Sequence, residues 1–218
     1  MIDFFLMVGL NILTYIGVDY LWDKLKIQGR YYGLHSIANL IVVFYTFNNL
    51  IKSYTNIPIT TNEINDIYNA KALIYGLHIY HMVWYYNKMR YDDWQHHILM
   101  VGIALPFTEL VRTTHLIGHS MFFINGITGM IDYMLLFMVR NNMIDKYVEK
   151  KVNKYLNVWI RCPGCIMNVA LCITELICKY NELSCIEIIA GCIMSSLVFW
   201  NGIHFMEQVV VDYATLKV

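Results

Sequence analysis

The chain has 218 residues, 58% of them hydrophobic and only 15% charged, where soluble domains carry about a quarter. Sixteen acidic and sixteen basic residues balance, so no net field points to nucleic acid or to an acidic partner. This excludes an ordinary soluble domain and predicts one all-α polytopic membrane domain with about seven transmembrane helices.

In chain order, the first predicted span is Ile2–Trp22. It lacks a basic leading region and a small-residue cleavage site, so a retained helix is expected rather than a cleaved signal. A basic loop with Lys24, Lys26 and Arg30 leads to the second span, Tyr31–Ile51. In the loop Lys52–Asn69, Thr60, Thr61 and Glu63 carry a capping-box pattern for a short helix outside the membrane. Ala70–Tyr86 and Trp94–Val111 are the shortest spans, and the polar turn Asn87–Asp93 joins them as an antiparallel hairpin. Met121–Val139 is the fifth span. The polar stretch Arg140–Lys154 is expected as an interfacial helix. Tyr155–Tyr180 and Ser184–Val210 complete the set.

Lys and Arg crowd the loops on one side, with Lys88, Arg90, Arg140, Lys146 and Lys150 among them. The other side holds Lys52, Lys71, Arg112 and Lys179. The positive-inside rule therefore predicts a lumenal N-terminus and a cytosolic C-terminus. All six cysteines fall in the last third of the chain, at spacings that suit buried small hydrophobes rather than a disulfide framework. Cys162-Pro163-Gly164-Cys165 has redox or metal spacing, but no second pair accompanies it, and Pro-Gly predicts a bend in the sixth span.

Ionisable groups at membrane depth are costly and usually face a cavity or the bundle interior. On the predicted topology His35, His81, His96, His97 and His204 all fall in the cytosolic half. Asp92 precedes His96, and Asp93 precedes His97, by four residues each. That spacing shares a helix face, so a carboxylate could orient an imidazole for base or nucleophilic work. The plainer reading is that the pair sits at headgroup level and opens a helix. Asp132, deep in the fifth span, is expected to pair with Asn125, a histidine or a tyrosine, either as helix–helix glue or as part of a site. Glu109 is expected to pair with Arg112 at i+3.

At several spots the chain resembles the TLC-domain family, which includes ceramide synthases and translocon-associated membrane proteins. Arg30-Tyr31-Tyr32-Gly33-Leu34-His35-Ser36 is similar to the family's opening span. Gly76-Leu77-His78-Ile79-Tyr80-His81 is similar to the next, with His81 where an Asp is common. Asp93-Trp94-Gln95-His96-His97 resembles the family's Asp and paired-His signature, and Glu109 fits the acidic residue after it. The resemblance runs from Arg30 to the C-terminus. It divides the chain into a leading helix and basic loop (1–29) and a six-helix TLC-like barrel (30–218).

It further implies an internal membrane such as the endoplasmic reticulum, and membrane lipids as partners of a monomer or homo-oligomer. It implies no resident cofactor or metal, with acyl-CoA as co-substrate. His96, His97 and Asp93 are then the catalytic candidates for acyl transfer to a sphingoid amine. His35, His81, Asp132 and His204 are candidates for lining the substrate. The spacing from Asp93 to the histidines is shorter than in ceramide synthases, and their downstream acidic motif is not evident. Two other readings stay open. One is a histidine-ligated membrane metalloenzyme using His78/His81, His96/His97 and His115/His119. The other is a non-catalytic lipid- or cargo-binding protein.

Overall fold

A computed structural model describes residues 3–55, 65–89, 91–110 and 114–216. The described residues form seven helices and contain no strand. α1 is Phe4–Lys24, α2 Arg30–Thr55 and α3 Asn65–Trp84. α4 runs Tyr91–Leu99, through a π turn at Met100–Ala104, into Leu105–Phe107. α5 comprises Thr114–Met121, a π turn at Phe122–Gly126, and Ile127–Arg140. α6 comprises Lys146–Leu156, a π turn at Asn157–Arg161, and Cys162–Cys178. α7 is Cys185–Thr215.

Local chemistry sets many of these boundaries. The Asp3 side chain accepts from the amides of Phe5 and Leu6 at the start of α1. Asp145 accepts from Tyr147 at the start of α6. Ser184 and Glu187 close a reciprocal capping box on α7. Two of the three π turns end just before a proline, Pro106 or Pro163. A proline has no amide proton, and its ring collides with the carbonyl one turn back. Widening that turn relieves both problems without breaking the helix.

Five helical stretches are long and apolar enough to cross a membrane: Phe4–Lys24, Arg30–Thr55, Leu116–Arg140, Lys146–Cys178 and Cys185–Thr215. Their outward faces carry large exposed apolar groups such as Phe5, Phe44, Trp159 and Ile177, a pattern suited to lipid rather than water. α3 and α4, the two expected as the shortest spans, do not join this set, so five of the seven expected spans are long and apolar enough among the described residues. α3 is the most enclosed helix, and its polar groups Lys71, His78 and His81 are all buried. α4 advances only about 25 Å at 1.5 Å per residue, less than the ~30 Å hydrocarbon layer.

Other boundaries move as well. α5 begins at Thr114 rather than Met121, because His115, His119 and Ser120 interrupt the apolar run without interrupting the helix. The polar stretch expected as a separate interfacial helix is the first part of α6, continuous through its π turn. The short helix expected around Thr60, Thr61 and Glu63 lies outside the described residues.

α2 packs along α3 and α5, and α6 along α7 and the first part of α5. α1 lies against α3 and α2, on their outer side. The α1–α3 approach is close at Gly76, where an added Cβ would stand 2.8 Å from Asn11 Cβ. The core between α2, α3 and α5 contains Leu34, Ala38, Val42, Ile74, Leu77 and Ile117.

A polar cluster ties α1 to the bundle at the end that carries the basic loops. Arg30 Nε donates to Asp19 (2.9 Å), the Tyr85 hydroxyl donates to the same oxygen (2.8 Å), and Arg30 also pairs with Asp23. Burial and the hydrogen bond to Asp19 push the Tyr85 phenol up to about 12. At the opposite end Glu109 pairs with Lys71 of α3. The expected partner Arg112 lies outside the described residues.

Cys162-Pro163-Gly164-Cys165 is a packing element. All six cysteines are free. A Cβ on Gly164 would fall 2.3 Å from the Phe123 ring, and one on Gly202 would fall 2.8 Å from Cys165 Cβ. These small residues let α6 approach α5 and α7 closely.

Candidate functional site

A cavity of about 800 Å³ opens inside the bundle, lined by residues from α2 through α7. Such a volume lies in the upper part of the range for small-molecule and cofactor sites. On α4 its lining runs from Gln95 to Thr108, about 20 Å along the axis at the α-helical rise. Met100, Leu105, Ile117, Met121, Ile124 and Val198 supply apolar wall. Close backbone approaches between α4 and α7, which face each other across this space, are sparse.

Histidines crowd one end. Alternating helix direction brings the start of α2, the end of α3 and the start of α4 to the same level. His35, His78, His81, His96 and His97 meet there. His35, His78, His81 and His97 are all 3% exposed or less, and His96 is half-buried beside Phe205 of α7. His35, His78, His96 and His97 line the cavity.

The rings are ordered. Tyr31, His81 and His35 form a compact triangle with ring centroids 4.1, 4.2 and 4.7 Å apart, and Tyr133 stacks on His35 at 4.1 Å. His97 meets this cluster edge-on, its ring at 87° to His35 and 72° to His81.

Hydrogen bonding fixes three protons. His78 Nδ1 lies 2.8 Å from the Ile74 carbonyl, which only accepts, so Nδ1 carries the proton and Nε2 the lone pair. His96 Nε2 lies 3.4 Å from His78 Nε2 and must be the donor, which leaves Nδ1 as the basic nitrogen of neutral His96. His35 Nδ1 in turn donates to the Tyr31 carbonyl at 3.3 Å, leaving Nε2 with the lone pair. His81 differs: it is fully buried and neither ring nitrogen has a hydrogen-bond partner among the described residues. An unbonded buried imidazole forfeits its hydration with nothing in return, which marks the position as one a ligand could complete.

The sequence-predicted residues thus meet in part. His35, His81, His96 and His97 converge. Asp132 and His204 line the same cavity from α5 and α7. His204 stacks on Trp200 at 4.6 Å, and Asp132 leaves Oδ1 buried with no hydrogen bond among the described residues, so the pairing expected for that oxygen is not made. The side chains of Asp92, Asp93 and His115 lie outside the described residues.

His96 and His97 do not act as a face-sharing pair. As sequence neighbours on a helix they diverge, their rings 5.5 Å apart at 87°, while His78 reaches His96. His119 sits elsewhere, bonded to Tyr54 (2.8 Å) and Asn168 (3.2 Å) in the core.

Sequence reading gave no site role to Tyr31, Tyr133 or Arg161. Arg161 is buried on α6, lines the cavity, donates to Thr128 and Ile124, and lies 4.8 Å from the Phe205 ring. An arginine inside an apolar span was the signal available for it. Compared with known proteins, the chain matches no family model, no curated protein and no solved structure.

Proposed function

We propose that this chain handles membrane lipids as a TLC-type protein, taking an acyl chain into the cavity with its reactive end at the histidines. One observation carries the reading: an apolar-walled cavity of about 800 Å³ that meets a cluster of buried histidines at one end. Two features support the TLC comparison. The cavity draws its lining from the six helices α2–α7, and α1 packs outside them. On this reading the basic-loop end is cytosolic, where acyl-CoA is met, and the host membrane is internal.

The chemistry that fits is acyl transfer through His96. Its Nδ1 attacks the thioester carbonyl: a C–N bond forms and the C–S bond breaks. The His96 Nε2 proton passes to His78 and on to the departing thiolate. A long-chain amine then attacks the acyl-imidazole, the C–N bond to His96 breaks, and the amine proton returns to His96 Nε2 through His78. Arg161 and Asp132 offer charged contacts to a polar headgroup.

The test is mass spectrometry of the detergent-purified protein after incubation with a long-chain acyl-CoA. An acyl adduct on the peptide containing His96, absent from His96→Ala, is expected. Bound lipid with neither adduct nor N-acyl product would make the protein a non-catalytic lipid holder. Protein with no bound lipid at all would remove the lipid-handling reading.

A further inference from the structure

We propose that His35, His81 and His97 form a binding site for a first-row divalent transition-metal cation, with zinc as the type. The three imidazoles come from α2, α3 and α4. Each offers one nitrogen, and these nitrogens all lie within 4.8 Å of one another, in a fully buried position. Neutral imidazole suits zinc, copper, iron and nickel.

Three further features select this triad from the eight histidines. His81 is fully buried with neither nitrogen hydrogen-bonded among the described residues. Ring contacts with Tyr31 and His35 bury its surface but supply no hydrogen bond to its nitrogens. His35 donates Nδ1–H to the Tyr31 carbonyl and keeps Nε2 for a ligand, which is how metal-bound histidines are commonly oriented. The other well-buried histidines are engaged elsewhere: His78 with Ile74 and His96, His119 with Tyr54 and Asn168.

Tetrahedral coordination at about 2.0–2.1 Å places ligand nitrogens about 3.4 Å apart. Binding therefore draws the three rings together by about an ångström and opens the near-parallel His35–His81 stack, now at 4.2 Å and 16°. His35 and His97 also line the cavity. The fourth position thus faces it and takes a water or an oxygen of whatever the cavity holds. Three protein ligands with one open position is the arrangement of catalytic rather than closed structural zinc sites. The site goes beyond the lipid-handling reading and stands without it, since the ligand set involves no lipid.

The experiment loads the full-length, detergent-purified protein with Co²⁺, reads its visible d–d absorption, and displaces it with Zn²⁺ under elemental analysis. The expected result is about one equivalent per chain with a tetrahedral-type spectrum. His81→Gln should weaken binding by at least about 10–100-fold, whereas His119→Gln, at a histidine bonded to Tyr54 and Asn168 away from the triad, should leave the stoichiometry unchanged. X-ray absorption of the zinc-loaded wild type, which needs no variant to fold, should show a nitrogen and oxygen shell without sulfur.

No uptake above background by the wild type would overturn the proposal. So would a sulfur shell, or wild-type affinity in folded His81→Gln. Lipid measured in the same samples keeps the two readings apart. Loss of cation with lipid retained counts against this site alone, and bound cation without lipid counts against the lipid-handling reading alone.

Discussion

The two ends of the bundle bury histidines in opposite ways. Away from the basic loops, His119 is fully enclosed and bonded through both nitrogens, one to Tyr54 and one to Asn168. At the basic-loop end, His81 is just as enclosed, yet neither of its nitrogens is bonded among the described residues, and the rings of His35 and His97 pack against it. Burial alone therefore does not distinguish a structural histidine from a functional one. What distinguishes them is whether the polar atoms are satisfied by the fold itself.

The largest expected effect sharpens the functional side of this contrast. His96→Ala should lower acyl transfer by about 10²–10⁴-fold, read as N-acyl product from a long-chain acyl-CoA and amine. His78→Gln should fall in the same direction by less, because His96 keeps its own nitrogen.

Next comes a pair of identical substitutions. His119→Phe removes two hydrogen bonds, to Tyr54 and to Asn168, and should cost about 1–3 kcal/mol. His81→Phe removes two polar atoms that are unbonded among the described residues, keeps an aromatic ring against Tyr31 and His35, and should stay within about 1 kcal/mol of wild type when chelator is present. Thermal unfolding in detergent with chelator measures both, and the reverse ranking would break the comparison.

A smaller effect is expected from filling the cavity. Ala104→Trp should reduce co-purifying lipid about tenfold, near 1.4 kcal/mol, with little change in unfolding temperature. Smallest of all, Glu109→Gln at the satisfied end should cost no more than about 1 kcal/mol, since Glu109 is largely exposed, and should leave lipid content unchanged.

Much of this was legible in the chain itself. Long apolar runs predict helices whose order the structure bears out, and alternating helix direction brings His35, His81, His96 and His97 to one level. The boundaries were less legible, for a physical reason. α3 and α4 turn polar faces inward, so an average over the helix understates how enclosed they are. The polar start of α6 belongs to the same helix as its apolar continuation, joined by a π turn that leaves no trace in hydropathy.

A cross-helix neighbour of His96 was also hidden. Helical spacing pointed to Asp92, whose side chain lies outside the described residues, whereas the approach of His78 to His96 comes from the packing of α3 against α4. Arg161 was visible only as one charge in an apolar run. Its place in the cavity wall comes from how α6 packs, not from its neighbours in sequence.

The most direct test uses two photoreactive lipids of equal length, one with its diazirine beside the carbonyl and one with it at the chain terminus, followed by peptide mapping. The carbonyl-side probe should label peptides holding Tyr31, His96 or Tyr133, and the terminal probe those holding Leu105, Ile117 or Met121. Ala104→Trp should suppress both. Equal labelling of the same outward-facing peptides by both probes, unaffected by Ala104→Trp, would contradict a lipid held in the cavity with its reactive end at the histidines.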